Sequence, residues 1–224
     1  MKENGLTLYT YGWVPEFARA FVRDFRIRWL LEEIGRDYRI AAFPVLEKSP
    51  AHLAIQPFGQ VPVLRDGDLV LFESGAIALH LAEATDLMPE GRRAEVTQWV
   101  LAALNTVELA SGGWMNMVLA ARMPEAFGPA STPEAQEFAR QLMRQRLDAL
   151  ESILAVRDWL LGDFTVADIV MVDVLRFVAA EGALGDHPAL TGYVARATAR
   201  PAFGRAMEDH MAHWDGSDAE QAAG

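Results

Sequence analysis

Hydrophobic and polar positions change rhythm once along the chain. Up to about residue 84, short alternating runs are mixed with helical ones. Leu6–Tyr11 alternates apolar and β-favouring residues and predicts a strand, as do Tyr38–Phe43, Val61–Leu64 and Leu69–Phe72. The last two flank Asp66-Gly67, a strong hairpin signal. A helix is predicted from Pro15, suited to a first helical turn, to Ile34, with Gly35 at the exit. Shorter helices are expected over Pro50–Ile55 and Ser74–Ala84. The order strand, helix, strand, helix, hairpin, helix fits a small sheet with helices packed on it.

From Arg92 the pattern is helical only. Arg92–Ala121 reads as one long helix that Gly112-Gly113 is expected to bend or interrupt. Thr132–Val156, Thr165–Ala179, Ala189–Thr198 and Pro201–His213 follow. Thr165 and Asp168 have capping-box spacing, with Phe164 and Ile169 at the staple positions, and this motif reads as structural. The fold class is therefore α/β followed by all-α. The expected boundaries are an α/β domain over 1–84, a linker over 85–91, a helical domain over 92–214 and a disordered tail over 215–224.

Composition narrows the function. A chain of 224 residues, 51% hydrophobic, is long enough for two packed domains. Its net charge of -11 argues against nucleic acid and against anionic lipid, so an anionic ligand needs a local positive site. The absence of cysteine excludes disulfides and every mechanism that needs a protein thiolate. No apolar run follows Met1 and none is long enough to span a bilayer, so a cytoplasmic protein is expected. The five histidines are scattered; His210 and His213 share helical spacing, but no carboxylate or cysteine pattern accompanies them, and no metal is expected.

Two motifs carry chemistry. In Gln60-Val61-Pro62, a proline opens a strand, and Val61 keeps an N–H and a C=O that an extended peptide could pair with. A cis bond before Pro62 would aim that backbone outward, although a trans proline is the commoner arrangement. In Glu73-Ser74, Ser74 suits an N-cap, and the helix N-terminus behind it offers N–H groups to a carboxylate. Glu73 could accept from an ammonium. Together they suit an amino-acid head group.

At these residues the sequence resembles the glutathione transferase family, closest to its plant-type phi and related bacterial members. The resemblance rests on Lys48-Ser49-Pro50-Ala51-His52-Leu53, on Gln56-Pro57-Phe58-Gly59-Gln60-Val61-Pro62, and on Asp66-Gly67-Asp68-Leu69 followed by Leu71-Phe72-Glu73-Ser74-Gly75-Ala76-Ile77. It implies a thioredoxin-like domain followed by an all-helical domain. It implies glutathione as co-substrate, an electrophilic small molecule as acceptor, a role in detoxification and a homodimer. It also assigns roles. Lys48 would contact the glycyl carboxylate, Gln60 and Val61 with a cis Pro62 would hold the cysteinyl residue, and Glu73 and Ser74 would take the γ-glutamyl end. Glu47 stands where the family often has His and is expected to point away. Two other outcomes share this site: a non-catalytic association module, and a glutathione-dependent isomerase or dehalogenase.

The thiol activator is less defined. Family members use Tyr, Ser or Cys near the end of the first strand or the start of the first helix. Counting back from Gly35 places the usual Ser near Arg23 or Asp24, neither a normal activator. Counting forward from the strand favours Tyr11, with Thr10 and Tyr9 behind it; each also reads as a strand residue packed in the core. Arg19, Arg23 and Arg26 have helical spacing and read as a solvated face, with an anion-attracting rim as the alternative. Trp13, Trp114 and Met117, with Met115 and Met123, are candidates for an adaptable apolar second-substrate pocket, or for ordinary helix packing.

Overall fold

A computed structural model describes residues 5–223, with side chains described through residue 215. The chain forms two compact units. One combines Met1–Met88 with Thr198–Gly224; the other is Pro89–Ala197. The helical region expected over 92–214 is thus divided, because the last helix packs in the first unit.

The first unit is built on four strands in the order β2-β1-β3-β4. Strand β1 (Leu6–Tyr11) pairs in parallel with β2 (Tyr38–Phe43) and antiparallel with β3 (Val63–Asp66). The hairpin partner of β3 is β4 (Leu69–Phe72). Period-two alternation buries Leu6, Leu8 and Thr10 on one face of β1 and turns Tyr9 and Tyr11 to the other. Strand β3 begins two residues later than expected, after the cis Val61–Pro62 bond, because a proline nitrogen has no N–H for the ladder.

The helix expected over Pro15–Ile34 is two helices, α1 (Glu16–Arg19) and α2 (Phe25–Ile34), separated by turns. The break has a chemical cause. The Arg19 carbonyl, which a continuing helix would use, instead accepts from His210 Nε2 at 2.7 Å. The expected arginine face dissolves with it. Arg19 and Arg26 are buried, and only Arg23 is exposed. Every residue from Phe25 to Leu31 is buried, including Arg26 and Arg28. Helix α2 packs against α4 (Ser74–Ala82) and against the last helix, α11 (Pro201–Ala223), while α3 (Pro50–Ile55) joins β2 to β3. Residues 215–223, expected to be a disordered tail, continue α11; residue 224 lies outside the described residues. Elongating an existing helix adds a hydrogen bond per residue fixed, and Ala, Glu and Gln sustain it.

Asp24, Arg28 and His210 form a fully buried polar cluster between α2 and α11. Asp24 Oδ2 accepts from Arg28 Nε at 2.9 Å and lies 3.6 Å from His210 Nδ1. Arg28 Nη1 reaches the half-exposed Asp209 at 2.5 Å, and Tyr38 donates to the same carboxylate. Arg200 pairs with Glu33, and Arg205 with Glu32, along the same seam.

The second unit is helical: α5 (Arg93–Ala102), α6 (Leu109–Arg122), α7 (Pro124–Phe127), α8 (Pro133–Leu154), α9 (Val166–Ala180) and α10 (Pro188–Thr198). Gly112-Gly113 runs through α6 without a break. The irregularity lies earlier, where Ala103–Glu108 is π-helical between α5 and α6. Helix α9 is the core element, buried from Val166 to Leu175. Its capping box is present: the Thr165 N–H donates to Asp168 Oδ2 at 2.9 Å. Asp168 also accepts from the Leu160 N–H and from the Tyr193 hydroxyl. Burial raises its pKa despite these donors. The carboxylate is a structural hub, with every named partner inside the fold. Among the described residues, no helix is long and apolar enough to cross a membrane.

Candidate functional site

The site residues that the sequence singled out in the first unit come from the end of β1, the loops on either side of α3, and the β4–α4 turn. Helix α3 anchors the arrangement. Ser49 caps it by accepting from the His52 N–H at 3.1 Å, and Pro50 occupies the first turn. His52 is fully buried, with its ring stacked on Phe43 at 4.2 Å between centroids. Its Nε2 donates to the Gln60 carbonyl at 2.8 Å, which holds the loop that leads into the cis Val61–Pro62 bond. Buried Gln56 adds a second tie, accepting from the Phe58 N–H at 2.6 Å. Gly59 takes φ +63°, a conformation costly for L-residues. Val61 and Pro62 are buried just before β3, and Gln60 is exposed.

Tyr11 closes one side. Its hydroxyl donates to the Gly59 carbonyl at 3.3 Å and accepts from Lys48 Nζ at 3.4 Å. The ammonium also lies 4.5 Å from the centre of the Tyr11 ring and donates to the Val45 carbonyl. Burial raises the pKa of the phenol, and the charge of Arg23 acts against it; the group stays a protonated donor at neutral pH. Burial lowers the pKa of Lys48. Behind Tyr11, His213 Nε2 on α11 donates to its backbone carbonyl at 2.9 Å, so the last helix fixes the end of β1.

At the opposite end, Glu73 rather than Ser74 occupies the N-cap of α4, at φ +71° and without a side-chain capping bond. A positive φ in a residue with a Cβ stores strain of order 1–3 kcal/mol, the kind of cost found at functional positions. Ser74 is the first helical residue. It is buried, and its Oγ accepts from Arg26 Nη1 at 3.3 Å. Glu47 is exposed.

The three candidate activators separate. Tyr11 meets Lys48 and Gly59. Thr10 faces the other side of the sheet, fully buried, with Oγ1 lacking a hydrogen-bond partner. Tyr9 stacks on Phe43 at 5.3 Å and accepts from Arg65 Nε, which are packing contacts. Trp13 is half-buried just beyond β1. Trp114 is buried and Met117 half-buried on α6, in the other unit.

Sequence reasoning missed the roles of His52 and His213, and it favoured a solvated face for Arg26. His52 lies inside the run that carries the resemblance, yet nothing in its spacing links it to Gln60. Arg26 has the spacing of a surface charge, and His213 acts across the whole length of the chain.

A four-stranded thioredoxin-like sheet with a cis proline leading into its third strand, followed by a helical unit, defines a two-part fold class. Residues 7–83 match the Glutathione S-transferase, N-terminal domain, and residues 115–201 match the Glutathione S-transferase, C-terminal domain. The chain belongs to the glutathione S-transferase family. It is 36% identical to Glutathione S-transferase F11 of Arabidopsis thaliana over 176 residues, which is 72% of this chain and 80% of that protein. It is 31% identical to Glutathione S-transferase 3 of Zea mays over 192 residues, 80% of this chain and 85% of that one. Among solved structures, glutathione S-transferase I bound with lactoylglutathione superposes with a TM-score of 0.74 at 27% identity, covering 91% of this chain and 99% of that one. A glutathione transferase from Burkholderia graminis, with two glutathione molecules bound per subunit, gives 0.74 at 25% identity, covering 92% and 88%.

Proposed function

We propose that the protein is a glutathione transferase that presents the thiolate of glutathione to an electrophilic small molecule, with the Tyr11 hydroxyl as the thiol-stabilising donor. The observation that carries this reading is the placement of a protonated phenol beside Lys48 and the Gly59-Gln60-Val61 loop. The relatives solved with glutathione or a glutathione conjugate support the choice of ligand.

In this reading the Val61 backbone pairs with the cysteinyl residue, with Gln60 beside it. Glu73 accepts from the γ-glutamyl ammonium, Ser74 and the α4 N-terminus receive its carboxylate, and Lys48 faces the glycyl carboxylate. Tyr11 turns its O–H from the Gly59 carbonyl to the sulfur and lowers the thiol pKa from its free value of about 8.5. The thiol proton passes to solvent. The thiolate forms a carbon–sulfur bond to the electrophile, and the leaving group departs with its electron pair. Trp13, just beyond β1, supplies apolar surface for that electrophile. The setting is cytoplasmic and the working form a homodimer.

The test is direct. Glutathione is titrated into wild-type protein and Tyr11→Phe, and the ultraviolet absorbance of the bound thiolate is read near neutral pH. Wild type should bind with a thiolate. Tyr11→Phe should bind within a few-fold, lose the thiolate signal and lose about 100-fold in kcat/KM, the size of effect expected for one removed oxyanion donor. Binding without a thiolate in wild type would favour an association module, and no binding at all would sink the glutathione reading.

A further inference from the structure

We infer that Arg26 is a positioning residue for the γ-glutamyl carboxylate, acting through Ser74 to make the site selective for a ligand that carries that charge. This inference rests on the glutathione reading above and adds to it a residue outside the ligand-contacting loops.

Arg26 lies on α2, within a run of seven buried residues, and only 2% of it is exposed. A guanidinium is costly to bury and stays charged. Its Nη1 donates to Ser74 Oγ at 3.3 Å, and Ser74 is itself 6% exposed. A serine hydroxyl has one proton to give and lone pairs to receive. With Arg26 donating to the oxygen, the hydroxyl proton is left to donate toward a ligand. The Ser74 oxygen then relays a fixed positive charge to a carboxylate at the start of α4, where the helix also favours an anion. The chain as a whole carries -11, so a buried cation at this spot offsets an unfavourable overall field. Strained Glu73, immediately before Ser74, turns the backbone at the same place. Arg26 touches no reacting atom. It fixes the orientation and charge behind the group that meets the ligand.

Calorimetric titration of the full chain tests this with three ligands. One is glutathione. The second is γ-aminobutyryl-cysteinylglycine, the descarboxy ligand, which keeps the ammonium and lacks only the α-carboxylate; the third is butyryl-cysteinylglycine, which lacks both. Wild type should prefer glutathione over the descarboxy ligand by about tenfold or more, the effect of one charge-assisted hydrogen bond. Arg26→Met should cut that preference to within about threefold, with affinity for the descarboxy ligand little changed. Arg26→Lys, which keeps the charge, should retain part of the preference, and Ser74→Ala in an Arg26→Lys background should remove no more than Ser74→Ala alone. A merely structural arginine would weaken all three ligands by the same factor. That result, or an undiminished preference in folded Arg26→Met, would overturn the inference. If Arg26→Met does not fold, additive effects of Arg26→Lys and Ser74→Ala on the preference would overturn it equally. Failure of wild type to bind glutathione would instead defeat the underlying functional reading.

Discussion

Removing the Asp24 carboxylate probes the joint between α2 and the last helix. Asp24 is fully buried, 2.9 Å from Arg28 Nε and 3.6 Å from His210 Nδ1. The longer of these contacts lies outside hydrogen-bond range. Burial opposes ionisation of Asp24, but His210 and Arg28 together hold its pKa below the usual carboxylate range. Breaking a buried pair by deleting one partner costs about 3–5 kcal/mol, because the other charge stays buried. Arg28 keeps its contact with Asp209, which has a side chain 53% exposed, so Asp24→Ala should fall at the low end, about 3 kcal/mol. For a chain of this length each kcal/mol lowers the midpoint by roughly 2–4 °C, giving a fall of about 6–12 °C by circular dichroism at pH 7. Adding Arg28→Met should restore part of the loss, since an apolar replacement leaves no orphaned charge. The pH dependence has a definite sign. A carboxyl with a folded pKa below its unfolded value, about 3.9, stabilises fully above that value, and the gain fades as pH falls through the folded pKa. The gap between wild type and Asp24→Ala should therefore close below about pH 4. A midpoint within about 2 °C of wild type at pH 7 would refute the reasoning, as would a gap that widens in acid.

Two other substitutions test neighbouring arguments. Thr165→Ala should lower stability by about 1 kcal/mol through loss of the α9 cap, read as a small drop in melting midpoint; an unchanged midpoint would contradict the cap. Gly59→Ala should cost about 1–2 kcal/mol from its left-handed backbone alone. The added Cβ would also meet Lys48 Cγ at 3.0 Å, so glutathione affinity measured by titration should fall together with stability. Full retention of both would mean that the loop shifts freely.

Local chemistry made much of the fold legible. Strands β1, β2 and β4 and helix α3 fall where alternation and turn residues place them, because each boundary is set by its own neighbours. The break between α1 and α2 was not legible, since it depends on a histidine 191 positions away. Gly112-Gly113 misled for a related reason. Low helix propensity is a weak preference that packing overrides, and the π-helical segment carries no comparable residue signature. At the site, the contiguous runs around Gln60 and Glu73 could be read directly. The charges behind them could not. Arginines spaced three and four apart look the same from sequence on a wet face and in a core, and the packing of α2 against α4 and α11 decides between them.

The return of the chain to its starting unit has a consequence in time. During synthesis, residues 5–88 leave the ribosome long before residues 198–215 exist, and domains ordinarily fold as they emerge. Until the last helix arrives, Arg28 and Asp24 have only each other, the Arg19 carbonyl lacks its His210 donor, and the Tyr11 carbonyl lacks His213. The nascent first segment therefore waits with its charges incompletely matched, and the end of β1 gains its His213 tie only after the whole second unit has been translated.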